Sequence, residues 1–215
     1  LPAAAERVRA WDLSARRVVR FDAQGAAELS IAGGWFRLAG EPLARVENLR
    51  LDGGFQRANA LAALGLARLV GARGAGLGAA LRASGGLPHR FECLGTRGGH
   101  EVWDNGVSTT PDSTISAVEA LAERGRRFTL LAGGQAKALP LEELVHTARA
   151  RARRVVTFGR SGSELARAFR AGGVATLEGG GLDGAVRLAY REMQADEALL
   201  FSPACASFDA YLNFA

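Results

Sequence analysis

The second half of this sequence predicts an α/β fold with a mostly parallel, Rossmann-like sheet. Short apolar stretches recur at Phe128–Ala132, Val155–Phe158, Val174–Leu177 and Ala198–Phe201. Amphipathic stretches of helical period follow or separate them, over about 113–124, 140–151, 161–171 and 182–194. Gly133-Gly134 and Gly159 come directly after two of the apolar stretches, where such folds turn from strand to helix. Strands covered on both faces by crossover helices read as continuous apolar runs, which is the pattern here.

The first half reads differently. Val18-Val19-Arg20-Phe21, Ala27–Ile31 and Trp35–Leu38, separated by Ala23-Gln24-Gly25 and Gly33-Gly34, predict short antiparallel strands. An apolar helical run carrying Leu61, Leu64, Leu66 and Leu69 extends to Val70, and a second short helix is expected around Leu77–Ala83. Gly85-Gly86-Leu87-Pro88 then marks a domain boundary. The expected division is residues 1–86, the tail of one domain, and residues 87–215, the α/β domain. Phe91–Thr96 and Glu101–Asn105 flank Gly98-Gly99 as a hairpin at the start of the second.

The 215 residues leave room for one large or two modest domains. Neither a bilayer-crossing apolar run nor a signal peptide is present, so a cytoplasmic location and no membrane partner are expected. The chain opens at Leu1 and its only methionine is Met193, which reads as a piece of a longer product. Cys93 and Cys205 lack the spacing of a disulfide framework or a zinc site, and no metal ligands are assigned. The net charge of +5 is spread along the chain, and the run Arg149, Arg151, Arg153, Arg154 complements a helix end, so nucleic acid is not expected as a partner. Of 27 lysines and arginines only Lys137 is a lysine. A compact ammonium fits where a planar guanidinium does not, which makes this residue a candidate.

Candidate sites lie at the strand ends. Trp103–Thr114 places Asp104, Asn105, Ser108, Thr109 and Thr110 just before Pro111 and a cap at Asp112 or Ser113. Two readings fit: a polar ligand site, or a capped turn whose hydroxyls bond the local backbone. Gly133–Lys137 follows a strand but lacks Walker A spacing, and Ala138 stands where Ser or Thr is needed. Gly159–Ser163 reads as a tight turn with a serine cap. Ser202 and Ser207 are either donors to a carboxylate or helix caps. His100 and His146 read as surface residues, and Cys205 has no basic neighbour in sequence to make it a nucleophile. The set of hydroxyls, one amide, one arginine and one lysine suits recognition of an anionic small molecule.

Taken together, Leu87–Glu92, the loop from Asp104 to Thr114, Leu131–Lys137 and Phe201–Asp209 resemble the Mur ligases in order and spacing, in particular the glutamate-adding members. Asn59–Leu64 is similar to the end of that family's central ATPase domain. The resemblance implies an ATP-dependent amide-forming ligase that joins glutamate to UDP-N-acetylmuramoyl-L-alanine through an acyl phosphate. This chain would be the end of the central domain followed by the glutamate-binding domain, inactive by itself.

By position, the resemblance implies that Lys137 and Thr109 hold the α-carboxylate of glutamate. Ser207 and the backbone at Phe214 would hold its side-chain carboxylate, and Asn59, Arg90, Asp104 and Asn105 would meet the nucleotide. Lys137 would also steady charge at the reacting centre. ATP and magnesium are implied, the magnesium ligands lying upstream. The family loop Asn-Asp-Ser-Lys-Ala-Thr-Asn is here Asp104–Thr110, with Val107 in place of the lysine. Ser108-Thr109-Thr110-Pro111 is similar to a branch that adds L-glutamate, which favours L- over D-glutamate. Two other readings stay open: a non-catalytic module binding a nucleotide or acidic metabolite, and a Mur-type ligase for another amino acid.

Overall fold

The computed structural model describes residues 19–23, 27–135 and 139–206. They divide into two units. One comprises the described residues up to Arg50 together with Gln56–Ser84, and the other Leu51–Phe55 and the chain from Gly85 onward.

In the N-terminal unit, strands β1 (Phe21–Asp22), β2 (Leu29–Ala32), β3 (Trp35–Leu38) and β4 (Glu41–Arg45) form a sheet in that order. Gly33 and Gly34, both at positive φ, close the β2–β3 hairpin as a two-residue turn requires. The expectation of antiparallel strands fails at β1, which runs parallel to β2 with Phe21 opposite Leu29. Only two residues of each strand pair, Phe21 with Leu29 and Asp22 with Ser30. Strand β4 carries Pro42, which cannot donate to a ladder and fits here because β4 is an edge strand.

Helix α1 (Gly54–Leu69) buries Ala60, Leu61 and Leu64 among Leu29, Phe36, Leu38 and Leu43 of the sheet. At Gly65 a Cβ would lie 2.4 Å from the Leu29 side chain, so the glycine sets how closely helix and sheet approach. Helix α2 (Gly76–Ala83) adds Leu77 and Leu81 to the same core.

The C-terminal unit is a six-stranded sheet in the order β5-β6-β10-β7-β8-β9. Its strands are β5 (Glu92–Arg97), β6 (His100–Asp104), β7 (Arg127–Gly133), β8 (Arg154–Phe158), β9 (Thr176–Glu178) and β10 (Glu197–Ala204). All adjacent pairs are parallel except the β5–β6 hairpin, in agreement with the predicted α/β class. The connecting helices are α3 (Pro111–Glu123), α4 (Glu142–Arg151), α5 (Gly162–Ala171) and α6 (Leu182–Glu192).

Alternate residues of the central strands feed two cores. Phe128, Leu130 and Leu200 pack with Val118, Leu121, Leu144, Leu165 and Phe169 of α3, α4 and α5. Leu131, Val156 and Leu199 pack with Ala185 and Ala189 of α6 on the opposite face. This two-sided burial is why the strands read as unbroken apolar runs.

One polar position, His100, differs from expectation, and a second, Glu197, has a role the sequence did not signal. His100 is buried, its Nδ1 2.9 Å from the carbonyl of Glu197 and its ring edge-on to Tyr190. Glu197 is buried at the start of β10, accepting from Thr129 Oγ1 at 2.9 Å and pairing with Arg153 at 2.6 Å and Arg154 at 3.7 Å. Part of the basic run after α4 therefore compensates an internal carboxylate rather than only a helix dipole.

Candidate functional site at the strand ends

The strand order brings the C-terminal ends of β6, β10 and β7 side by side, the place where open parallel sheets receive ligands. β6 ends at Asp104. Asn105 continues its ladder by donating from its backbone to Phe201 at 2.8 Å, and Asp104 Oδ1 accepts from Gly106 N–H at 2.8 Å to turn the chain.

Asn105 is buried and its amide is fully used. Oδ1 accepts from Phe91 N–H at 3.2 Å, while Nδ2 donates to Ser202 Oγ at 3.0 Å and reaches the Ser113 carbonyl at 3.4 Å. This side chain ties the segment before β5, the loop before α3 and the end of β10 together. The amide expected to meet the nucleotide thus has partners within the protein at both its oxygen and its nitrogen.

The hydroxyls interlock. Ser108 Oγ lies 2.6 Å from Thr114 Oγ1 and 2.9 Å from Ser113 Oγ, and Ser202 Oγ donates to Thr114 Oγ1 at 2.9 Å. Ser108, Thr114 and Ser202 are completely buried, so Ser202 is neither a free donor nor a helix cap. Each buried hydroxyl is satisfied by another, because an orphan would cost about 1–3 kcal/mol. The capping residue of α3 is Thr110, extended at φ −139° with Pro111 at the first helical position, in place of the expected Asp112 or Ser113. Proline fixes the start of the helix one turn earlier than a serine cap would.

Thr109 sits on this rigid support, half-buried, and its hydroxyl has no hydrogen-bond partner among the described residues. Of the loop's five polar candidates it is one whose side chain remains available.

The ends of β7, β8 and β10 are joined by backbone hydrogen bonds. Gln135 N–H donates to Ala206 O at 2.8 Å, Ala206 N–H to Gln135 O at 3.2 Å, and Ser161 N–H to Gly134 O at 2.9 Å. A Cβ at Gly133 would lie 2.1 Å from the Phe158 carbonyl oxygen, and one at Gly134, which has φ +115°, 2.4 Å from that of Ala206. Close packing of three loops explains this glycine pair without a phosphate. Lys137, Ser207 and Phe214 lie outside the described residues.

The segment before β5 carries Arg90, exposed, its guanidinium without a partner among the described residues. His89 and Phe91 on either side adopt positive φ of 60° and 52°, held by hydrogen bonds to Asp104, Glu92 and Asn105. His89 Nδ1 lies 2.7 Å from Asp104 Oδ2, and this hydrogen bond, with the carboxylate's charge, raises the imidazole pKa above its ordinary 6.5. His89, Glu92 and Asp104 place one ligand atom each within 4.8 Å of one another, the arrangement among the described residues that could hold a cation. Their existing hydrogen bonds already account for it. Asn59 belongs to the other unit, exposed on α1, with its amide 3.5 Å from Gln56 Oε1.

Residues 89–205 match the family described as Mur ligase, glutamate ligase domain. The chain belongs to the Mur ligase family. A curated relative of this Mur ligase chain, the UDP-N-acetylmuramoylalanine--D-glutamate ligase of Paraburkholderia xenovorans (strain LB400), is 36% identical over 167 residues, covering 78% of this chain and 32% of the relative. The Mur ligase chain thus spans about a third of the length of the curated relatives it matches.

Among solved structures, MurF from Acinetobacter baumannii superposes with a TM-score of 0.68 at 15% identity, covering 89% of this chain and 44% of that one. Mycobacterium tuberculosis folylpolyglutamate synthase complexed with ADP and AMPPCP gives 0.67 at 20% identity, covering 94% and 49%. At these identities the two structures speak for the fold alone.

The relatives' names overturn the leaning towards L-glutamate, since they specify D-glutamate. The geometry supplies the reason that the Ser-Thr-Thr-Pro motif misled. Ser108 is locked against Thr114 and Ser113, and Thr110 and Pro111 start α3, so most of the motif builds the turn rather than reading a substrate.

Proposed function

We propose that this chain supplies the amino-acid-binding part of an ATP-dependent ligase that joins D-glutamate to UDP-N-acetylmuramoyl-alanine. Family membership and the relatives' names support the reaction. The single observation that carries the site is the unpartnered Thr109 hydroxyl, held at the end of β6 by a saturated hydrogen-bond network. A rigid support with one free donor is what orienting a small carboxylate requires.

In this reading residues 1–86 are the end of a central ATP-binding domain and residues 87–215 the glutamate-binding domain. Thr109 and Lys137 hold the α-carboxylate of glutamate, and Ser207 with the backbone at Phe214 holds the side-chain carboxylate. Arg90, Asp104 and Asn59 contact the nucleotide. The exposed guanidinium of Arg90 suits a phosphate, and Asp104, accepting from His89, suits ribose hydroxyls. Asn105 serves by fixing the loop.

The chemistry asks the protein for orientation more than for a nucleophile. The alanine carboxylate is activated as its acyl phosphate, the glutamate amine attacks that carbon, phosphate leaves, and an amide bond remains. Lys137 would stabilise the negative charge that develops as the amine adds. ATP supplies the phosphoryl group, and magnesium would be held by residues other than those assigned here.

The test measures ADP release by the full-length protein with UDP-N-acetylmuramoyl-L-alanine and either glutamate enantiomer. D-glutamate-dependent turnover that falls at least about a hundredfold in Lys137→Ala is expected, the scale of losing one charge-stabilising group. Absence of amine-dependent ADP release would leave a nucleotide- or metabolite-binding module instead.

A further inference from the structure

The N-terminal unit contains an open cleft of about 390 Å³ between β4, the end of α1 and α2, lined in part by Arg45, Arg68, Arg73 and Arg82. Glu41 is the one acidic residue of its lining. Several arginines elsewhere in the chain are compensated: Arg126 pairs with Glu101, Arg151 with Glu119, Arg153 with Glu197 and Arg170 with Glu178. In the cleft only Arg68 is, at 3.1 Å from Glu41, while Arg45, Arg73 and Arg82 meet no carboxylate among the described residues. Cations lining one open cleft repel one another and raise a positive potential there, which a bound anion relieves.

Two of these guanidinium groups are held in place by neutral partners. Arg45 lies 4.4 Å over the centre of the Trp35 ring, and Arg82 Nη1 donates to Asn48 Oδ1 at 2.7 Å. A Cβ at Gly78 would come within 2.8 Å of Asn48 Nδ2, so the glycine is what lets Asn48 reach this position against α2. Each arginine has five N–H donors and spends at most a few here, leaving the rest for planar, two-pronged contacts with oxyanions. The volume is within the range of small-molecule sites.

We propose that this cleft binds a small phosphate-bearing molecule with at least two negative charges, of the diphosphate class. It lies wholly within the N-terminal unit and shares no residue with the strand-end site of the other unit. The inference therefore stands independently of the ligase reading.

The test titrates the full-length protein with inorganic pyrophosphate at constant ionic strength. The indole N–H signal of Trp35, assigned by its loss in Trp35→Phe, reports the cleft by NMR. It should move saturably, and Arg73→Ala/Arg82→Ala should raise the apparent Kd at least about tenfold, the scale of losing one charge-assisted contact. An unchanged thermal unfolding midpoint, with a dispersed Trp35 signal in the absence of ligand, shows that the double variant keeps its fold. Should it not, Arg73→Gln, which changes an exposed side chain, must weaken binding severalfold. A still Trp35 signal, an equal shift with chloride, or an unchanged Kd in the folded variant overturns the proposal.

Discussion

The amide of Asn105 donates to the hydroxyl of Ser202 across 3.0 Å, joining the ends of two neighbouring strands whose residues are 97 positions apart. The same amide receives Phe91 N–H, so one side chain sets the mutual placement of three segments around Thr109. Replacing it should therefore act on stability. Asn105→Leu leaves the Phe91 N–H without its acceptor and should cost about 1–3 kcal/mol, read from the urea midpoint of the full-length protein. An unchanged midpoint would mean the network is dispensable.

Thr109 predicts the opposite pattern. Its hydroxyl supports nothing among the described residues, so Thr109→Val should leave the unfolding midpoint within about 0.5 kcal/mol of wild type. In the full-length enzyme it should raise KM for D-glutamate about tenfold, as loss of one hydrogen bond to a carboxylate does. Ser202→Ala should reverse the balance, lowering stability before affinity.

At Gly134 the backbone has φ +115° and a methyl group would collide with the Ala206 carbonyl. Gly134→Ala should destabilise by about 1–3 kcal/mol, through strain in an unfavoured region and separation of the β7 and β10 ends. Thermal unfolding of the variant checks this, and wild-type stability would show that the loop repacks freely.

The His89–Asp104 contact makes a pH prediction. Because Asp104 raises the His89 pKa above 6.5, the contact contributes stability that is fully present below that unfolded value and lost as pH rises through the folded one. His89 is largely exposed, so the effect is small. The stability gap between wild type and His89→Gln should narrow as pH rises above about 6.5. A gap that widens with pH would assign the wrong sign.

What was legible in the sequence was local. Helices α1 to α6 and strands β7, β8 and β10 follow from hydrophobic pattern, because each helix buries one stripe and these strands are buried on both faces. β4 escaped notice because Pro42 and its short, half-exposed pattern resemble a loop. The roles of His100, Glu197, Asn105 and Ser202 escaped for a different reason. Each depends on a partner far away in sequence, supplied when β10 inserts beside β6 and β7. Polar residues of the same type are caps, ligands or internal struts according to what the fold sets opposite them. The Asp104 loop illustrates this, for one of its hydroxyls is free and its neighbour is sealed.

The position of β10 has a consequence for synthesis. This last described strand fills the slot between β6 and β7, so until it emerges from the ribosome the earlier strands form two ribbons with facing unpaired edges. The nascent domain must wait, exposed to wrong partners, for its own centrepiece. A frameshift or nick removing residues from about 197 onward would split the sheet through its middle rather than trim its margin.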